Sequence, residues 1–243
     1  MMKFKKFILF LVEGLNDEKE LGAILKAPCF RKYHEDYVFR FIRYGTDITT
    51  ERETSVNNIL ERIAKKIHAY RKNSNEGMYN GIAIQDIQEI VHIVDMDGAF
   101  IPREGISQGD TGRVYYSDNE IIAYNDDEIW GRNKKKSNVL RKLITTSKIA
   151  GVNYSLYYAS CNMDHLLFDV RNPNEEQKRT NANAFRYKME RHPELMNESL
   201  FKTGIKAVGT YEDSWATIQE GTNSLQRKTN INLFFGENAR HKK

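Results

Sequence analysis

Two short acidic runs set the chemistry open to this chain. In Leu11-Val12-Glu13-Gly14-Leu15-Asn16-Asp17 a carboxylate ends an apolar run, a glycine permits a sharp turn, and a second acid follows at once. In Ile93-Val94-Asp95-Met96-Asp97-Gly98 two aspartates one residue apart again end an apolar run. A carboxylate at the tip of a buried strand is costly unless it is exposed, hydrogen-bonded or bound to a cation. Residues two apart in an extended segment point the same way, so Asp95 and Asp97 can converge on one ion. Hard divalent ions take oxygen ligands, often a few carboxylates with water completing the shell. The plain alternative is that Glu13 tops a strand while Asp17 caps a helix. Acids at two strand ends on one sheet edge favour a shared site.

A charge contrast lies further along. Asp118, Glu120, Asp126, Asp127 and Glu128 precede Arg132, Lys134, Lys135, Lys136, Arg141, Lys142 and Lys148, and no acid interrupts the basic half. With Tyr124 and Trp130 nearby, Arg132, Lys134, Lys135, Lys136, Arg141 and Lys142 are the candidates for gripping a nucleic-acid backbone, where each neutralised phosphate releases counterions. The competing reading is a solvated helix face.

Val12-Glu13-Gly14-x-x-Asp17, followed much later by an apolar strand ending in Asp95-x-Asp97, resembles the Toprim signature. That signature is shared by type II topoisomerases, bacterial primases, small RNA-maturing nucleases and the OLD-family nucleases. The resemblance covers the first hundred residues and is nearest to stand-alone OLD-like and RloB-like defence nucleases. It implies that Glu13 is the strand-one glutamate, a metal ligand or general acid-base, and that Asp95 and Asp97 are the metal-binding pair. Asp17 joins them as a further metal candidate, and Mg2+ or Mn2+ is the implied cofactor. Ala159-Ser160-Cys161-Asn162-Met163-Asp164-His165-Leu166-Leu167-Phe168 looks like the counterpart of a family segment in which a small polar run precedes an acid and a leucine-rich helix. There Asp164 stands where the family has glutamate, so it is either a further metal ligand or the cap of the helix that Leu166 begins; His165 is either surface or core.

The activity so implied is metal-dependent nuclease action, phosphodiester hydrolysis of RNA or DNA, by an effector in anti-phage defence. The chain has no Walker phosphate loop, so an OLD-type mode of action requires a separately encoded ATPase. It also lacks the tyrosine-bearing breakage domain of a topoisomerase and the zinc domain of a primase. Two rivals stand beside this reading. One is a non-catalytic Toprim-like sensor or binding module. The other is a haloacid-dehalogenase-like phosphatase, whose motif one resembles Asp95-Met96-Asp97-Gly98; Ala99 stands in place of that family's threonine, and Asp126-Asp127 precedes Lys134, out of the family's order.

These motifs need elements to hold them. Phe7 to Val12 is continuously apolar, the pattern of a strand covered on both faces in a parallel or mixed sheet. Asn16 or Asp17 is placed to cap a following helix through Leu21, Ile24 and Leu25. Tyr37 to Tyr44 predicts a strand, Thr49 to Tyr70 a helix on Val56, Ile59, Leu60, Ile63 and Ile67, Gln88 to Val94 a buried strand, and Tyr154 to Ala159 another. These elements predict an α/β fold, and the resemblance implies that it is Toprim-like, a Rossmann-like mixed or parallel sheet flanked by helices. One domain spans 1–243: a core from 1–100 and 152–170, a polar, turn-rich insertion or lid at 101–151, and a helical cap at 171–243. Leu233-Phe234-Phe235 is a last apolar anchor before a polar tail.

Composition limits the rest. The 243 residues, 40% of them hydrophobic, suffice for one good core. The net charge of +4, from 37 basic against 33 acidic residues, is too even to argue for nucleic acid by itself. Two cysteines, Cys29 and Cys161, indicate neither a disulfide framework nor a structural zinc site. The six-residue run after Lys3, Lys5 and Lys6 is too short for a signal peptide, so the expected setting is cytoplasmic, with no membrane partner and with self-association open.

Overall fold

The computed structural model describes residues 5–72 and 82–235; the polar tail expected beyond Phe235 lies outside them. The chain runs β1 (Lys6–Val12), α1 (Leu15–Leu25), α2 (Arg31–Asp36), β2 (Tyr37–Arg43), α3 (Ile59–Lys72) and β3 (Ile87–Asp95). Three short strands follow, β4 (Ile106–Gln108), β5 (Tyr115–Tyr116) and β6 (Ile121–Ala123), and then α4 (Asp126–Ile144), β7 (Lys148–Ile149) and β8 (Val152–Ser160). The C-terminal part holds α5 (Met163–Phe168), α6 (Glu175–Arg191), α7 (Tyr211–Ile218), β9 (Lys228–Thr229) and α8 (Ile231–Phe235).

The continuous apolar strands sit at the centre of a mostly parallel sheet, because only central strands are covered on both faces. Its order is β2-β1-β3-β8-β7, and β9 also pairs with β8. β2, β1, β3 and β8 are mutually parallel, while β7 and β9 run antiparallel along the far edge of β8. From Ile8 to Val12 no residue of β1 is more than 1% exposed. Parallel neighbours require crossover connections, which are right-handed. The chain leaves β1 toward β2 in one direction, and passes from β2 to β3 and from β3 to β8 in the other. α1 therefore covers one face, and α3 and α4 cover the opposite one. The crevice opens where the direction reverses, between the carboxyl ends of β1 and β3. Those are the two strands whose ends carry the acids.

Three elements depart from the sequence reading. α1 begins at Leu15 with Gly14 as its N-cap, and Asp17 acts from the third helical position, its Oδ2 accepting the Gly14 N–H at 2.7 Å. The helix expected from Thr49 starts only at Ile59. Asp47 accepts hydrogen bonds from the Thr49 amide (2.9 Å) and hydroxyl (2.5 Å), a local turn that competes with helix. Ile59, Ile63 and Ile67 then form the fully buried stripe of α3.

The third departure concerns the expected insertion at 101–151, which is two structures. Its first half is the small sheet β4-β6-β5 with its own core of Ile101, Ile106, Ile121, Ala123 and Leu225. Its second half is α4, whose Val139, Leu140 and Leu143 are fully buried in the main core. α4 is thus the crossover between β3 and β8, and its wide polar face disguised it.

The C-terminal region is largely helical, and it also closes the sheet's edge. The Tyr211 hydroxyl accepts from the Leu156 N–H (3.1 Å) and donates to the Leu156 carbonyl (2.8 Å). Asn230 Oδ1 accepts from the Tyr158 N–H, and the Thr229 hydroxyl donates to the Tyr158 carbonyl. An unpaired strand edge is a liability, and these side chains remove it. Phe234 packs edge-on against Phe10 and Tyr157. Among the described residues no helix is long and apolar enough to cross a membrane.

Candidate metal centre

Backbone pairing that continues past the strand ends places the acids. Beyond β1, the Tyr44 N–H donates to the Val12 carbonyl (3.0 Å) and the Gly45 N–H to the Glu13 carbonyl (2.8 Å). Glu13 is thereby fixed at the strand tip beside the loop that carries Asp47. Asp95 is the last residue of β3, opposite Ala159. Its Oδ1 accepts the N–H of Met163, the first residue of α5, at 3.0 Å. Asn162 caps α5 by accepting the His165 N–H at 2.8 Å.

Asp97 reaches the same place by another route than strand alternation. Its φ is +48°, in the left-handed region, so the chain turns there instead of extending. The turn is held by Asp97 N–H to the Cys161 carbonyl (2.8 Å) and continues through Gly98 at φ +67°. A Cβ on Gly98 would lie 2.7 Å from Leu225 and 2.8 Å from Ile121, so only glycine lets the loop pass.

Glu13, Asp17, Asp95, Asp97 and Asp164 all line one cleft of about 620 Å³ at the switch point. Arg113, Arg171 and Lys178 line it too, so the acidic floor is matched by a cationic wall. That wall is knitted to the small sheet: Arg113 donates to the carbonyls of Asn172 and Pro173, and the Asn172 side chain pairs with the backbone of Tyr116. Arg171 is paired with Asp118 and lies 3.3 Å from His165 Nε2.

Crowding of like charge in a dry place sets the electrostatics. Burial pushes the Glu13 carboxyl well above the usual range, and Asp47, Asp97 and Asp17 push it further while Lys136 pulls it down. Asp95 is raised well above its usual range by burial first and then by Glu13, Asp17 and Asp97. Burial also raises Asp17 and Asp164. Glu13 Oε1 is buried and has no hydrogen-bond partner, while Asn181 donates to Asp164 at 3.2 Å. His165 is core: its Nδ1 accepts the Cys161 N–H at 3.0 Å, and burial together with Arg171 lowers its pKa to about 4, leaving it neutral.

The basic run lands differently from its sequence reading. Lys136 is 0% exposed, and its ammonium sits 2.8 Å from Asp47 Oδ2 and 2.8 Å from Asp97 Oδ2. Burial pulls its pKa down, but Asp47, Asp97 and Glu13 more than offset this and keep it charged. Burial pushes Asp47 up, but Lys136 and Thr49 bring it down to about 2. Lys135 donates to the carbonyls of Glu51 (2.6 Å) and Arg52 (3.2 Å), and Arg132 to the Tyr116 hydroxyl (3.0 Å) and the Asp97 carbonyl (3.2 Å). Lys134, Arg141 and Lys142 are exposed, and none of the six lines the cleft. The helical period explains this: three consecutive lysines on a helix cannot share a face.

Sequence reasoning missed Asp47, the inward turn of Lys136 and the wall of Arg113, Arg171 and Lys178. Only the strand order, which sets β2 beside β1, brings Asp47 to Glu13. Among the described residues no three His, Cys, Asp or Glu side chains form a ready-made metal-holding group. What is present is an all-oxygen donor set with one orphaned buried carboxylate oxygen. This suits magnesium, which demands octahedral geometry, keeps several waters and needs only one or two carboxylates. Comparison of the chain with family models, with curated proteins and with solved structures gave no match.

Proposed function

We propose that the protein is a divalent-metal-dependent phosphodiesterase acting on RNA or DNA, organised as in the Toprim nucleases. The observation that carries this reading is the unpartnered Glu13 Oε1, set beside Asp95 on an acidic floor that faces Arg113, Arg171 and Lys178 across one cleft. Among the described residues, Glu13, Asp47, Asp95 and Asp97 draw on one fully buried ammonium, that of Lys136, so the cluster has room for further positive charge.

Glu13 and Asp95, with Asp17 beside them, are the residues that would hold Mg2+ or Mn2+. When bound, the ion supplies charge neutralisation at a non-bridging phosphate oxygen and a more acidic water. The chain's own groups do the remainder. Arg113, Arg171 and Lys178 bind and orient the phosphodiester, where guanidinium forks match phosphate oxygens. Glu13, whose carboxyl is raised by burial and by its acidic neighbours, is placed to take a proton from the attacking water. Lys136, Arg132 and Asn133 hold the Asp97–Gly98 turn, so the floor is fixed before substrate arrives.

The experiment is incubation of purified protein with labelled RNA and DNA, with magnesium, with manganese and with chelator. Cleavage that requires the metal is expected. Cleavage that continues in chelator, or no cleavage of either nucleic acid with either metal, overturns the proposal.

A further inference from the structure

We infer that the Lys136 ammonium is the resident cation of one half of the acid cluster, with Asp47 and Asp97 as its counter-ions, so that the cleft has a single divalent position on the Glu13–Asp95 side. This rests on the reading above that the cluster holds a divalent ion.

Occupied and open oxygens divide the cluster. Asp47 is saturated: Oδ1 accepts from the Thr49 amide and hydroxyl, and Oδ2 from Lys136 at 2.8 Å. Asp97 Oδ2 accepts from the same ammonium at 2.8 Å. One segment of α4 fixes the whole Asp97 turn, because Arg132 donates to the Asp97 carbonyl and Asn133 donates to the Gly98 carbonyl at 3.0 Å. On the other side, Glu13 Oε1 has no partner and Asp95 receives one amide, that of Met163. A dication and an ammonium compete for the same carboxylate oxygen. Lys136 has no exposed surface, so yielding that oxygen would require it to leave a fully buried position. The carboxylate charge with no cation in direct contact is therefore on the Glu13–Asp95 side, and Lys136 is a positioning residue that keeps Asp97 Oδ2 from the metal.

Calorimetry of the chelator-stripped protein with Mn2+ tests this, with unfolding temperature as a second readout. The wild type is expected to bind one ion per chain. Asp97→Asn, which keeps an oxygen for Lys136, is expected to retain that single site within about fivefold in affinity, whereas Asp95→Asn weakens it at least about tenfold. Lys136→Met leaves two uncompensated carboxylates and is expected to bind a second Mn2+, with a larger metal-induced rise in unfolding temperature than the wild type. Should that variant fail to fold, the two aspartate variants decide the matter alone. Two ions in the wild type, or an Asp97→Asn loss as large as that of Asp95→Asn, overturns the inference and leaves the metal site standing. No ion in the wild type removes both.

Discussion

Replacing Asp95 by Asn should stabilise the metal-free protein at neutral pH. Asn keeps the shape and an oxygen for the Met163 N–H, but removes a charge that burial, Glu13, Asp17 and Asp97 all oppose. A carboxylate raised in the folded state holds its proton there after losing it in the unfolded chain. Stability from such a group is present at low pH and is lost as pH climbs from its ordinary value, 3.8, toward the raised one. The loss is up to about 1.4 kcal/mol for each pH unit of that interval. His92 and His165, lowered to about 3 and about 4 mainly by burial, act in the opposite sense up to their unfolded value of 6.5. The raw pH profile therefore mixes both signs, but the histidines cancel in the difference between variant and wild type. That difference should be small near pH 4 and grow with pH until Asp95 ionises in the folded protein. Each 1.4 kcal/mol corresponds to roughly 3–6 °C in a chain of this size. Thermal unfolding in chelator across pH 4 to 8.5 measures it, and magnesium should narrow or reverse the gap by binding the wild type better. If Asp95→Asn is less stable than wild type at pH 7–8 without metal, the carboxylate is a structural acceptor and the charge-crowding account fails.

Lys178→Ala or Arg113→Ala should weaken nucleic-acid binding and lower its log-log salt slope by about 0.7–0.9 per lost phosphate contact, more than the exposed Lys134→Ala does; an unmoved slope removes the cationic wall from the binding site. Tyr211→Phe leaves the Leu156 N–H and carbonyl without their shared partner at the buried β8 edge, so it should cost about 1–3 kcal/mol in urea unfolding. An unchanged midpoint would mean that the edge is satisfied by other means.

The parts of the fold open to sequence reading were those with one physical solution. Phe7–Val12 is apolar without alternation, and Ile90–Val94 is broken only by His92, so both read as central strands, and the acids after them share a sheet edge because the strands are parallel neighbours. α4 was hidden because only Ile129, Val139, Leu140 and Leu143 are apolar on its buried side, diluted by charges over 19 residues. Asp97 lines the same cleft as Glu13 and Asp95, but a left-handed turn, not the strand alternation that the sequence suggests, delivers it there. Lys136 reads in sequence as one of three equivalent lysines; only the helix's rotation against the sheet turns it inward to Asp47 and Asp97. Arg113, Arg171 and Lys178 come from three separate segments, and no local spacing announces that they meet.

The most direct test of the central claim is single-turnover cleavage of labelled RNA and DNA by Glu13→Gln in saturating magnesium, with substrate affinity measured in parallel. Gln keeps the size and most hydrogen bonding of Glu13 but can neither carry its charge nor accept its proton. The predicted result is a turnover lower by about a hundredfold or more with binding essentially intact, since general acid-base catalysis contributes about that much. Wild-type turnover in Glu13→Gln would contradict the account.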